Sequence, residues 1–148
     1  MKNKVCTILF LTAFILVLST PIFAQNIPNA VTWDVLKKVK WEIDSNRGTY
    51  IPNFDQEVEK LDGKEITVKG YLYPLGYGSE NPEFLFTPYP VNGCFYCVPG
   101  SAETMIHLPE TKLEKVPLTR VTVKGKFHLL RDSPYGLIYK ITDTKIDV

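Results

Sequence analysis

Two stretches of the chain share one strand pattern. Ile66-Thr67-Val68-Lys69-Gly70 is echoed fifty-five positions later by Val121-Thr122-Val123-Lys124-Gly125, and Leu75 and Leu130 fall in the same register. In both, apolar and polar residues alternate with the period of a half-buried β-strand. A glycine inside such a strand marks a bulge or sharp bend, the device by which a sheet curls on itself. Each copy passes through a turn-forming segment, 76–82 or 131–136, into a second strand expected over 83–89 or 137–143. The core is therefore read as two similar hairpins. A shorter strand over 105–108 makes five. Five strands with a bent first and fourth member suggest a mainly β protein, a small five-stranded barrel of the oligonucleotide/oligosaccharide-binding (OB) type. The alternative is a small β-sandwich.

Ahead of the hairpins, Trp33, Leu36, Val39/Lys40 and Ile43 recur at near-helical spacing. They predict one short N-terminal amphipathic helix with Thr32 as its N-cap. The segment 46–53 carries Asn, Gly and Pro and is expected to be loop, and Leu61-Asp62-Gly63 a turn that launches the first long strand.

The N-terminus predicts export. Lys2 and Lys4 precede an apolar run over 5–17, Pro21 breaks that run, and Ala24 stands before Gln25. This is the layout of a signal peptide over 1–24, leaving 25–148 as a single β-barrel domain in the periplasm or secreted, with no stable membrane span after cleavage. Removing Lys2 and Lys4 from 17 basic side chains leaves 15 against 16 acidic ones, a net charge of −1. A nearly neutral chain lacks the cluster of Lys and Arg that neutralises phosphates, so no nucleic-acid partner is expected. No phosphate-cradling glycine loop, Gly-x-Ser-x-Gly elbow or metalloprotease helix occurs, and the protein is not expected to be an enzyme.

One loop carries chemistry. Loss of Cys6 with the signal peptide leaves Cys94 and Cys97, in a C-x-x-C run rich in turn formers and aromatics between the two hairpins. Three readings stand side by side. In the first, Cys94 and Cys97 join Glu103 and His107 as ligands of zinc or, second, copper, with the soft thiolates and the imidazole leading. In the second, the cysteines form a disulfide, a minor staple of about 1.9 kcal/mol for so short a loop. That bridge would shape an aromatic surface of Tyr89, Phe95 and Tyr96 on which a protein partner of the cell envelope docks. The third is thiol-disulfide exchange, against which stands the absence of any Lys, Arg or His within nine residues to lower a thiol pKa. His128, with no carboxylate or cysteine near it in sequence, is assigned a structural role.

The run Gly63-Lys64 to Gly70-Tyr71 and on to Pro74-Leu75, then Phe84-Leu85-Phe86, Cys94-Phe95-Tyr96-Cys97 and Ala102-Glu103-Thr104, resembles the DUF3299 family of exported bacterial proteins. The resemblance spans about Trp33 to Val148. It implies a small β-barrel made with a signal peptide or lipid anchor, of largely unknown function, with a suggested part in periplasmic metal handling. Two positions depart from the pattern the resemblance leads one to expect: Val98 follows the second cysteine in place of Gly, and Ala102 precedes the glutamate in place of Pro. The expectation is an exported, non-enzymatic binding protein.

Overall fold

The computed structural model describes residues 29–75, 83–90, 100–109, 111, 113, 115–133 and 136–148. Five strands close a barrel: β3 (Glu65–Leu75), β4 (Glu83–Thr87), β5 (Ile106–Leu108), β6 (Val121–Leu129) and β7 (Tyr139–Asp147), in the order β3-β4-β5-β7-β6. β5 and β7 pair in parallel and the other neighbours antiparallel. That order, with the third barrel strand lying parallel to the fifth, is the OB arrangement. A sandwich is not formed, because β3 serves both sides of the closure. Its first half pairs with β6 as far as Gly70 and its second half with β4 from Tyr71. On the side that β4 does not reach, residues 29–31 run beside Thr67 through two backbone hydrogen bonds.

The two predicted hairpins are present, with β4 ending at Thr87 and β7 running on to Asp147. Alternation places Val121, Val123, Phe127, Tyr139 and Ile141 inside with Leu72, Phe84, Phe86, Ile106 and Leu108. The register of β6 on β7 slips between Lys124 and Lys126. There a Cβ on Gly125 would stand 2.5 Å from the Ile141 side chain and 2.5 Å from the Thr142 carbonyl. At Gly70 the register does not slip, and the glycine instead marks the change of partner.

The region ahead of the barrel departs from expectation. Only Trp33–Leu36 is helical (α1), and Thr32 at its N-cap makes no side-chain capping bond. Residues Val39–Asp44 form strand β1, and the predicted loop contains strand β2 (Thr49–Phe54), the two making a separate two-stranded ribbon. Val39-Lys40-Trp41-Glu42-Ile43-Asp44 also alternates with period two, and its β-branched and aromatic residues favour a strand once a partner exists. The turn supplies that partner: Asp44 Oδ1 accepts from the Asn46 and Arg47 amides, and Gly48 takes a positive φ of 64°. A second short helix, α2 (Gln56–Glu59), is capped by Asp55, whose Oδ1 accepts from the Glu57 amide.

α1 closes one end of the barrel. Leu36 is fully buried and Trp33 nearly so, and the Trp33 indole lies 5.6 Å from the Phe86 ring while its Nε1 donates to the Lys69 carbonyl at 2.7 Å.

Candidate functional site

The connection from β4 to β5 holds the C-x-x-C motif. Cys94 and Cys97, with Phe95 and Tyr96, lie outside the described residues, which resume at Gly100. Both roots of the connection are fastened. On the β4 side the Tyr73 hydroxyl donates to the Pro90 carbonyl at 2.8 Å. On the β5 side the Ser101 amide donates to Thr104 Oγ1 at 3.0 Å, and that hydroxyl donates to the Ser101 carbonyl at 2.8 Å. Gly100 has φ +126°, and a Cβ on it would collide with Thr104 Oγ1. Only glycine enters the turn at that point.

The Ser101 and Thr104 bonds hold a single 3-10 turn, η1 (Ala102–Thr104), and this turn presents Glu103. Glu103 is half-buried, and its Oε2 is buried with no hydrogen-bond partner among the described residues. Buried polar atoms are rarely left so, because desolvation without a compensating bond costs roughly 1–3 kcal/mol. The carboxylate makes itself felt at Tyr139, whose hydroxyl donates to the Leu36 carbonyl at 2.5 Å. Burial first, and the Glu103 charge second, push the Tyr139 phenol well above its ordinary range. The η1 turn that carries Glu103 lies against α1.

His107 sits four residues on, in β5, but serves the other surface. Ile106 and Leu108 on either side of it point into the core, so its imidazole points outward. There Nε2 lies 2.9 Å from Glu83 Oε2, across the β4–β5 pairing that sets Leu85 opposite His107. Glu103 and His107 thus belong to different surroundings, one with a buried oxygen that has no partner among the described residues and the other in an exposed pair. No group of three or more His, Cys, Asp or Glu side chains able to hold a metal occurs among the described residues. Tyr89 is 38% exposed. His128 is engaged by Thr142, Nε2 to Oγ1 2.9 Å.

Sequence reasoning missed Glu83 as the partner of His107, and Tyr139 as the phenol that the Glu103 charge reaches. Pairing across strands decides the first and the docking of α1 the second. Neither leaves a local signal.

These features define a class of protein: an OB-type barrel with an anchored connection between its second and third strands. The sequence profile of a family described as a protein of unknown function, DUF3299, matches residues 26–146, and the chain belongs to that family. Among solved structures it is similar to the crystal structure, at 2.45 Å resolution, of a DUF3299 family protein from Pseudomonas aeruginosa PAO1. The two share 19% identity and a TM-score of 0.55, over 81% of this chain and 95% of the other. At that identity the likeness speaks for the fold. No curated protein matches. Among the described residues no helix is long and apolar enough to cross a membrane.

Proposed function

We propose that the protein is an exported binding protein that captures a transition metal, zinc ahead of copper, through Cys94, Cys97 and Glu103. The observation that supports this is the buried, unpartnered Oε2 of Glu103. A cation beside it would supply the partner that this oxygen lacks among the described residues. Glu103 lies six residues after Cys97 and nine after Cys94, separations short enough for the chain to bring both thiolates to the carboxylate. Two thiolates with a carboxylate and one position left open suit zinc, and the thiolates also suit copper. His107 already has a carboxylate partner in Glu83 and stands outside the set. The location is periplasmic or secreted, on the strength of residues 1–24. Capture needs deprotonated thiolates, so affinity falls as pH drops.

Zinc titration against a competing chelator, on the reduced protein purified after export, tests the assignment. The double variant Cys94→Ser/Cys97→Ser should lose binding. Glu103→Gln should weaken it by about tenfold or more, as outer-shell changes alone can do, while His107→Gln leaves it near the wild-type value. Stoichiometric zinc binding by the double serine variant would overturn the reading. A second reading draws on the exposure of Tyr89: a Cys94–Cys97 bridge that shapes Tyr89, Phe95 and Tyr96 for an envelope protein partner. It predicts partner binding that reduction weakens and metal leaves unchanged.

A further inference from the structure

The β1–β2 ribbon is a sheet of its own and leaves apolar side chains of one face exposed among the described residues. Its register sets Val39 opposite Phe54, Trp41 opposite Pro52 and Ile43 opposite Tyr50, and directly opposed residues share a face. At the root Phe54 is buried against the Tyr139 ring, 5.8 Å between centroids. Further out, Trp41 is 40%, Ile43 66% and Tyr50 67% exposed. The ribbon is held in place at its turn, where Arg47 bridges Asp44 at 2.6 Å and Asp132 at 3.0 Å. Among the described residues β1 has β2 as its one ladder neighbour, so its outer edge offers backbone groups outside any ladder, with the Val39 amide alone turned back to the Lys37 carbonyl at 2.8 Å. Pro52 makes the β2 edge a poor template, and no proline guards β1.

We propose that this edge pairs with a second copy of the chain, β1 against β1 antiparallel across a two-fold axis centred on Trp41. Charge selects both the partner and the register. With the axis at Trp41, each Lys40 faces the Glu42 of the other copy, Val39 faces Ile43, and the two Trp41 side chains meet. Every other two-fold register opposes like charges: Lys38 meets Lys40 about Val39, Lys40 meets itself about Lys40, Glu42 meets itself about Glu42, and Glu42 meets Asp44 about Ile43. Lys40 makes no ion pair among the described residues and remains available, whereas Lys38 is bound to Glu57 at 2.8 Å. The assembly is isologous and closes as a dimer through a four-stranded sheet. It places Trp41 and Ile43 beside apolar neighbours.

Light scattering across a dilution series, under reducing conditions on the exported protein, tests this. The wild type should be a dimer. Lys40→Glu and Glu42→Lys each turn both charge pairs into repulsions, and each should weaken dimerisation by about tenfold or more. The swap Lys40→Glu/Glu42→Lys should restore it. An equimolar mixture of the two single variants should form a mixed dimer, since positions 40 and 42 then carry opposite charges in both cross-copy pairs. Circular dichroism of each variant checks that the barrel is retained. A wild type that stays monomeric at every concentration overturns the proposal, as does a dimer indifferent to the single reversals or single variants that fail to combine.

Discussion

Tyr139 ties three parts of the molecule together. Its ring lies 5.2 Å from Phe127 of the barrel and 5.8 Å from Phe54 of the ribbon, and its hydroxyl donates to the last residue of α1. Replacing it with Phe keeps the ring and strands the Leu36 carbonyl, which should cost about 1 kcal/mol. Its raised phenol pKa fixes the sign of an alkaline response. Between the unfolded tyrosine pKa, near 10, and the higher folded value, the unfolded chain has lost a proton that the native state keeps. Stability is therefore fully present below that range and falls as pH rises through it, by at most about 1.4 kcal/mol per pH unit for this group. Denaturant unfolding followed upward from neutral pH should show the decline, and Tyr139→Phe should reduce its slope. Burial raises the Tyr73 phenol as well, and the hydrogen bond to Glu57 raises the Lys38 ammonium, so both contribute to the slope that remains. An unchanged slope in Tyr139→Phe would contradict the account.

Among the elements, β6 and β7 leave no room for a Cβ at Gly125, where the register slips. Gly125→Ala forces a methyl group onto backbone as well as side chain and should destabilise the barrel by about 1–3 kcal/mol, an overpacking cost, in equilibrium unfolding. Loss of a few tenths of a kcal/mol or less would mean that the two strands yield. The barrel strands were legible because the period-two pattern and the repeated glycine persist over nine and eleven residues in β6 and β3. The ribbon was not, because Trp33, Leu36, Val39 and Ile43 fit a helical period as well as a split into helix and strand. The signal that decides it is the alternation from Val39 to Asp44 followed by the turn at Asn46 to Gly48, which supplies a partner. Pro52 weighed toward loop in the sequence, yet a two-stranded ribbon tolerates a proline whose missing N–H faces outward.

At the scale of the whole molecule, the barrel holds one connection at both roots, and the turn at one root carries a carboxylate with a buried oxygen. The cysteines and Glu103 were visible in the sequence as residue types at suggestive spacing. The separation of Glu103 from His107 was not, because it depends on which side of η1 and β5 faces the core. The proposed function depends on whether a metal occupies the Cys94, Cys97 and Glu103 set. Free-thiol titration together with elemental analysis of the exported, reductant-free protein measures this most directly. About one zinc or copper per chain, with both thiols titratable once the metal is chelated, is the predicted result. A chain with neither free thiols nor metal would contradict it and point to a bridged loop.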